Sequence, residues 1–293
     1  MNMNRKKILL VIFVSFIIFW SLFPILWIFN HSLMFEEELY SRPPHWIPQN
    51  PIPNNYMQIL GIPAYYPRYG EVKASGHAPA ILNGIRNSTI VALLVMTATV
   101  IVATIVAYPL ARFNLRHGNK YLFVVLTSRT IPAISIAIPY FIFFFYLGLY
   151  GTVFGVAILH FSITIPFMIW VLIGYLNTLP LDLDRSARVD GYGRLGVFRK
   201  VIVPMAGPAI VTSIVLTFLF SWNEFLFAWI FTSGTTAQTL PPAFPSMLFM
   251  LADPNNMAAA VIISLIPPIV ICAFFERYIT RLKIVGAVQI KSG

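Results

Sequence analysis

The sequence predicts an all-α integral membrane protein with six transmembrane helices, on three observations. Hydrophobic residues make up 58% of the 293. Charged residues make up only 10%, against roughly a quarter in soluble domains. The apolar residues also gather in runs long enough to cross a bilayer. A water-soluble enzyme is excluded on that balance. The 20 Lys and Arg against 10 Asp and Glu give a formal charge of +10, which by itself fits nucleic acid, an anionic membrane surface or a topology signal. The positions of the charges must decide.

A helix needs about 20 predominantly apolar residues to cross the hydrocarbon core, where every backbone N–H and C=O has to be paired within the segment. Ile8–Asn30, Ile90–Leu110, Val201–Asn223 and Met257–Phe275 contain no Asp, Glu, Lys or Arg and qualify directly. Arg5-Lys6-Lys7 gives the first run a basic start, as in a secretory signal. Its apolar stretch, however, exceeds the about 7–15 residues of a signal core, and Ser21–Asn30 offers no Ala-x-Ala cleavage site, so it reads as an anchor. The region from Thr130 to Leu181 is equally free of charge but too long for one span. Gly148-Leu-Tyr-Gly151 divides it, giving helices at Tyr121–Leu147 and Thr152–Tyr175. Pro24, Pro109, Pro132, Pro139, Pro166, Pro267 and Pro268 lie inside or near these spans and read as kinks in a packed bundle.

With the N-terminus inside, the cytoplasmic pieces hold Arg5, Lys6, Lys7, Arg112, Arg116, Lys120, Arg185, Arg188, Arg194, Arg199, Lys200, Arg277, Arg281, Lys283 and Lys291, 15 of the 20 cations. The outer loops hold Arg42, Arg68 and Lys73, and Arg86 and Arg129 lie near span ends. The positive charge is therefore a topology signal placing both termini in the cytoplasm, and the nucleic-acid reading falls away. The chain divides into residues 1–30, a cytoplasmic tip and first span; 31–83, an outer loop; 84–282, a five-helix core; and 283–293, a cytoplasmic tail. The outer loop is rich in Pro and Tyr and reads first as an ordered cap, with Trp46 at the headgroups, and second as a docking surface.

Cys272 is a lone cysteine in an apolar run, and neither it nor the five histidines show metal-ligand spacing. Neither Gly-x-x-x-x-Gly-Lys nor Gly-x-Gly-x-x-Gly occurs, so nothing here cradles a nucleotide phosphate. If ATP drives this protein, another chain binds it.

The cytoplasmic loop 177–204 is the most informative segment. Asp182 and Asp184 follow Pro180 where acids complement a helix dipole, and Asp184 and Arg188 have i,i+4 spacing. Gly191 and Gly193 then supply a turn with positive φ, and Pro204 marks re-entry to the membrane. Periodicity alone reads this as an amphipathic loop on anionic lipid headgroups.

The string Arg185-Ser186-Ala187-Arg188-Val189-Asp190-Gly191, with Val201-Ile202-Val203-Pro204 after it, resembles the signature loop of the membrane subunits of binding-protein-dependent ABC importers. Its pattern is Glu-Ala-Ala, three residues, Gly, and about nine further residues before Ile-x-Leu-Pro. Arg129-Thr-Ile-Pro132 and Trp222-Asn223-Glu224-Phe225 are similar to motifs of the carbohydrate-uptake branch. The resemblance covers roughly Asn83 to the end.

It implies a type I importer permease fold in a bacterial or archaeal inner membrane. The loop would be a coupling helix docking on a separate ATPase through Asp184, Arg185, Ser186, Ala187, Asp190, Gly191 and Pro204. The implied partners are a second permease chain, more typically in a heterodimeric than a homodimeric pore, two nucleotide-binding ATPase subunits that hold ATP-Mg, an extracytoplasmic solute-binding protein, and membrane lipid. No cofactor and no enzymatic activity are expected on this chain. The implied solute is a carbohydrate or polyol. Arg185 stands where the family has glutamate, which is thought to meet a basic residue of the ATPase. The contact then falls to Asp184 or to an acid on the ATPase. Tyr192 replaces a small residue and implies an altered fit.

Trp222, Asn223 and Glu224 suit a solute path, since an aromatic face and a carboxylate match hydroxyl-rich molecules. Equally, Glu224 can bond to a neighbouring helix. Arg129 reads as fixing the start of its helix or a subunit contact, and His160 as a hydrogen-bonded packing residue. A permease for a non-sugar solute and a secondary carrier are the rival functions. The carrier is the weaker rival, because a proton relay wants several buried acids.

Overall fold

A computed structural model describes residues 5–66, 70–113, 115, 118–249 and 253–279. Arg68, Arg116, Arg281, Lys283 and Lys291, used above for orientation, lie outside the described residues, as does the tail 283–293. The elements run α1 Arg5–Ser32, α2 Glu36–Leu39, α3 Asn54–Ile59, β1 Ala64–Tyr66, β2 Gly70–Val72, α4 Ala78–Arg112, α5 Gly118–Thr127, α6 Ala133–Tyr146 and α7 Val153–Leu176. Then come α8 Asp182–Val189, α9 Arg194–Val197, α10 Val203–Met205, α11 Gly207–Asn223, α12 Leu226–Thr232, α13 Phe244–Phe249 and α14 Pro254–Ile279.

Two compact units result, one from residues up to Leu82 with Ala243–Ile266, the other from Asn83–Pro242 with residues from Pro267 on. In the first, α1 exposes apolar side chains along most of its length, as a helix does whose neighbour is lipid or another chain. The Pro/Tyr-rich segment is ordered. β1 and β2 pair antiparallel with Ala64 opposite Val72, and Ile52, Ala64 and Tyr66 form a small core with Phe35. Asn55 Nδ2 donates to the carbonyls of Ser32 and Met34 at 2.9 and 3.0 Å, and Asn255 Nδ2 donates to Met34 O at 2.8 Å. Burial lifts the Tyr66 phenol above its ordinary pKa, with Asp253 adding to the shift, so its hydroxyl stays a donor to Asn55 Oδ1. Trp46 is exposed with its ring 5.1 Å from Trp27.

Among the described residues four helices, α1, α4, α7 and α14, are long and apolar enough to cross a membrane unbroken, and two bent pairs bring the number to six if each pair is one span. Here the sequence reading needs correction. The third span, expected as one helix over Tyr121–Leu147, breaks between α5 and α6 with a bend of 93°. Ring sterics of Pro132 force its predecessor out of the helical region, and Ile131 is extended at φ −71°, ψ 125°. The fifth span, expected over Val201–Asn223, bends by 72° around Ala206. Pro204 has no N–H for the carbonyl four residues back, and the chain widens to a π turn over Phe198–Ile202 just ahead of it. Pro24, Pro109, Pro139, Pro166, Pro267 and Pro268 all lie within continuous helices.

Buried clusters of the second unit include the following two. One joins Ala103, Ala107 and Tyr108 of α4 and Met168, Leu172 and Leu176 of α7 to Ala187, Val197 and Ile202 of the segment between α7 and α11. The other gathers Val91 and Val95 of α4, Phe144 of α6, Leu159 of α7 and Phe231 of α12, with the rings of Phe144 and Phe231 edge to face at 5.6 Å.

Candidate coupling interface and solute-path residues

The eight residues of α8 are too few to be stable alone, so packing and caps must hold them. Ala187 supplies the packing, being 5% exposed within the cluster shared with α4 and α7. Asp184 supplies the tether. Its Oδ1 accepts from the Tyr108 hydroxyl at 3.0 Å, and its Oδ2 lies 3.3 Å from Arg112 Nε, an ion pair without hydrogen-bond alignment. Arg112 Nη1 and Nη2 donate to the carbonyls of Leu179 and Pro180 just before α8. The C-terminal end of α4 therefore grips both the helix and its lead-in.

The C-terminus of α8 closes as a Schellman cap. Tyr192 N–H donates to Ala187 O and Gly191 N–H to Arg188 O, each at 3.1 Å. This closure requires the left-handed Gly191, at φ +86°. Gly193, expected to have positive φ as well, adopts φ −67° and precedes α9. Tyr192 folds back so that a Cβ on Gly196 would lie 3.2 Å from its ring, and Lys200 Nζ sits 4.9 Å from the ring centroid. Pro204 lies within the bent entry to the membrane.

The outward face of α8 and its cap carries Arg185, Ser186, Arg188, Val189, Asp190, Tyr192 and Leu195. Val189 is 87% exposed. Arg185 pairs with Asp182 at 3.2 Å, but both are solvated and the pair is worth little. Asp184 and Ala187 thus face their own chain, leaving Arg185, Ser186 and Asp190 at the surface. No local signal in the loop revealed the tether: Tyr108 and Arg112 lie 76 and 72 positions before Asp184. The tandem of Tyr108 and Arg112 one helical turn apart, at the end of α4, was the available hint.

The second group sits at the junction of α11 and α12. Trp222 is buried and stacks on Phe218 at 5.7 Å, while Asn223 is exposed and donates to Leu219 O. Glu224 interrupts the helix at ψ 123°. Its Oε1 accepts from Phe227 N–H at 2.9 Å and its Oε2 from Ala228 N–H at 3.0 Å, so the carboxylate caps α12. Oε2 also lies 3.0 Å from His160 Nε2, and His160 Nδ1 is 2.9 Å from Ser221 Oγ. The carboxylate can only accept, so Nε2–H is the donor of that contact. His160 is fully buried, as a packing residue should be. Ser221, His160 and Glu224 thus lie in one hydrogen-bonded line, with Ser221 only 4% exposed. Of the two readings of Glu224, the helix-bonding one matches this geometry.

Comparison with known proteins agrees with this architecture. The family described as binding-protein-dependent transport system inner membrane component matches residues 99–284. The sulfoquinovosyl glycerol transport system permease protein SmoH of Agrobacterium fabrum is 31% identical, over 91% of this chain and 88% of its own length. The trehalose/maltose transport system permease protein MalG of Thermococcus litoralis is 28% identical over 97% of both chains. The trehalose transport system permease protein SugB of Mycobacterium tuberculosis is 29% identical, over 94% and 95%. A chain in the crystal structure of a bacterial ABC transporter for import of the acidic polysaccharide alginate superposes with a TM-score of 0.76 at 18% identity, covering 95% of this chain and 99% of that one. The fold is that of a type I importer permease.

Proposed function

Because the chain belongs to the family of binding-protein-dependent transport system inner membrane components, we propose that it is one permease subunit of an ATP-driven importer for a carbohydrate or polyol. In this reading the chain is not itself an enzyme. A second permease completes the pore, two ATPase subunits bind ATP-Mg, and an extracytoplasmic protein delivers the solute. Relatives whose names carry sulfoquinovosyl glycerol, trehalose and maltose support the solute class. Both termini face the cytoplasm, in line with the distribution of Lys and Arg.

The single observation that carries the mechanism is the tether of Asp184 to Tyr108 and Arg112. A short helix joined to the bundle by backbone alone would swing freely when pushed. With Ala187 packed, Asp184 held and Arg112 bonded to the lead-in carbonyls, a push on the outer face of α8 is delivered to the end of α4. ATP-driven closure of the partner subunits would then tilt α4, and with it α7, through one rigid contact. Arg185 presents its guanidinium on the surface, so its partner on the ATPase is an acid or a carbonyl cluster.

Crosslinking tests this. Val189→Cys and Asp190→Cys, both at exposed positions, should capture an ATP-hydrolysing subunit in importing membranes. Ala187→Cys should not, because its side chain is buried. Capture from neither exposed position would overturn the docking.

A further inference from the structure

We infer that Arg129 contacts the solute, donating hydrogen bonds to the oxygens of a polyhydroxylated molecule near the middle of the membrane; this rests on the importer reading above. Its position follows from its partner. The guanidinium donates to the carbonyl of Ile163, the eleventh of 24 residues in α7, about 15 Å of helical rise from one end and about 20 Å from the other. It also lies 6.0 Å from the ring centroid of Phe167 on α7 and 5.9 Å from that of Phe220 on α11. The backbone holding it is the break between α5 and α6, where Ser128, Arg129 and Thr130 are all exposed.

An exposed guanidinium at that depth does not face lipid, because the cost of an ion in hydrocarbon is too high. Among the described residues no ion pair includes Arg129. Its surroundings are those of an exposed, aromatic-lined facet. Ile163, Phe167 and Trp170 follow one face of α7, and Trp170 is 49% exposed. Phe220 and exposed Asn223 follow one face of α11. The exposed hydroxyls of Thr127, Ser128 and Thr130 each donate to a carbonyl of the preceding turn and keep lone pairs free. Aromatic faces, fixed N–H donors and hydroxyl acceptors together suit a sugar ring with its hydroxyls. Asn223 thereby stays in the solute path, while Trp222 and Glu224 support it from behind.

The test uses the full transporter with Cys272 replaced by alanine. Arg129→Cys should react with the water-soluble cationic thiol reagent methanethiosulfonate ethyltrimethylammonium, and Ile138→Cys, on the apolar exposed stripe of α6, should not. A mixture of trehalose, maltose and glucose should slow the reaction at Arg129→Cys. Arg129→Gln should raise the KM of sugar uptake roughly ten-fold while Arg129→Lys recovers part of the loss, as expected for one charge-assisted hydrogen bond. Labelling that ignores the sugars overturns the inference, and so does labelling of the isolated chain but not of the assembled transporter, which would place the guanidinium in a subunit contact. Absence of ATP-dependent uptake by the unmodified transporter strikes instead at the importer reading, and the labelling arms are scored independently of it.

Discussion

Asp184 makes heavy demands on the segment between α7 and α11. It is a carboxylate 9% exposed, and its position is tolerable only because Tyr108 donates to one oxygen and Arg112 stands beside the other. Asp184→Ala should therefore cost about 1.5–3 kcal/mol locally, the range for a hydrogen bond to a charged group. It should loosen α8 without preventing membrane insertion. Asp184→Asn keeps an acceptor for Tyr108 and should retain more function. The measurement is sugar uptake beside solute-stimulated ATP hydrolysis at matched expression. Loss of both with Asp184→Ala, partial recovery with Asp184→Asn, and faster trypsin cleavage at Arg185 or Arg188 is the expected pattern. Full uptake by Asp184→Ala would remove the tether from the mechanism. Gly191 is the complementary case: a Cβ placed on it would meet nothing within 4 Å, so the residue is demanded by its φ of +86° and not by crowding.

At the scale of elements, the spans were legible where apolar runs are long and unbroken, as for α1, α4, α7 and α14. The breaks were not. Pro132 and Pro139 look alike in the sequence, yet the first stands at a break between helices and the second lies inside continuous α6, as proline can in a membrane helix. The same limit applied to Glu224. Its donors on α12 are local, but the His160 imidazole that meets the same carboxylate comes from α7, 64 positions earlier, and no spacing rule predicts it. Glu224→Ala should strip the cap from α12 and leave His160 Nε2–H without its acceptor, lowering the melting temperature, with about 0.5–2 kcal/mol from the cap alone. The KM for sugar should stay near that of the parent protein in whatever fraction folds. A raised KM with an unchanged melting temperature would return Glu224 to the solute path.

At the scale of the whole molecule, orientation decides whether the loop carrying α8 can meet a nucleotide-binding partner at all. The sequence argument rests on charge: 15 of 20 Lys and Arg fall on one side when the spans are laid end to end. The ordered Pro/Tyr-rich segment then belongs outside, and α8 belongs inside. Two exposed positions read this directly, Glu71 on β2 and Val189 at the end of α8. With Cys272 replaced by alanine, a membrane-impermeant maleimide should modify Glu71→Cys in intact cells and Val189→Cys only after the membrane is opened. The energetics make the result binary: short loops rich in Lys and Arg resist translocation, so the population should not divide between orientations. If Val189→Cys reacts from outside, the tether at Asp184 still stands as packing, but it would be a lever on the side without ATP.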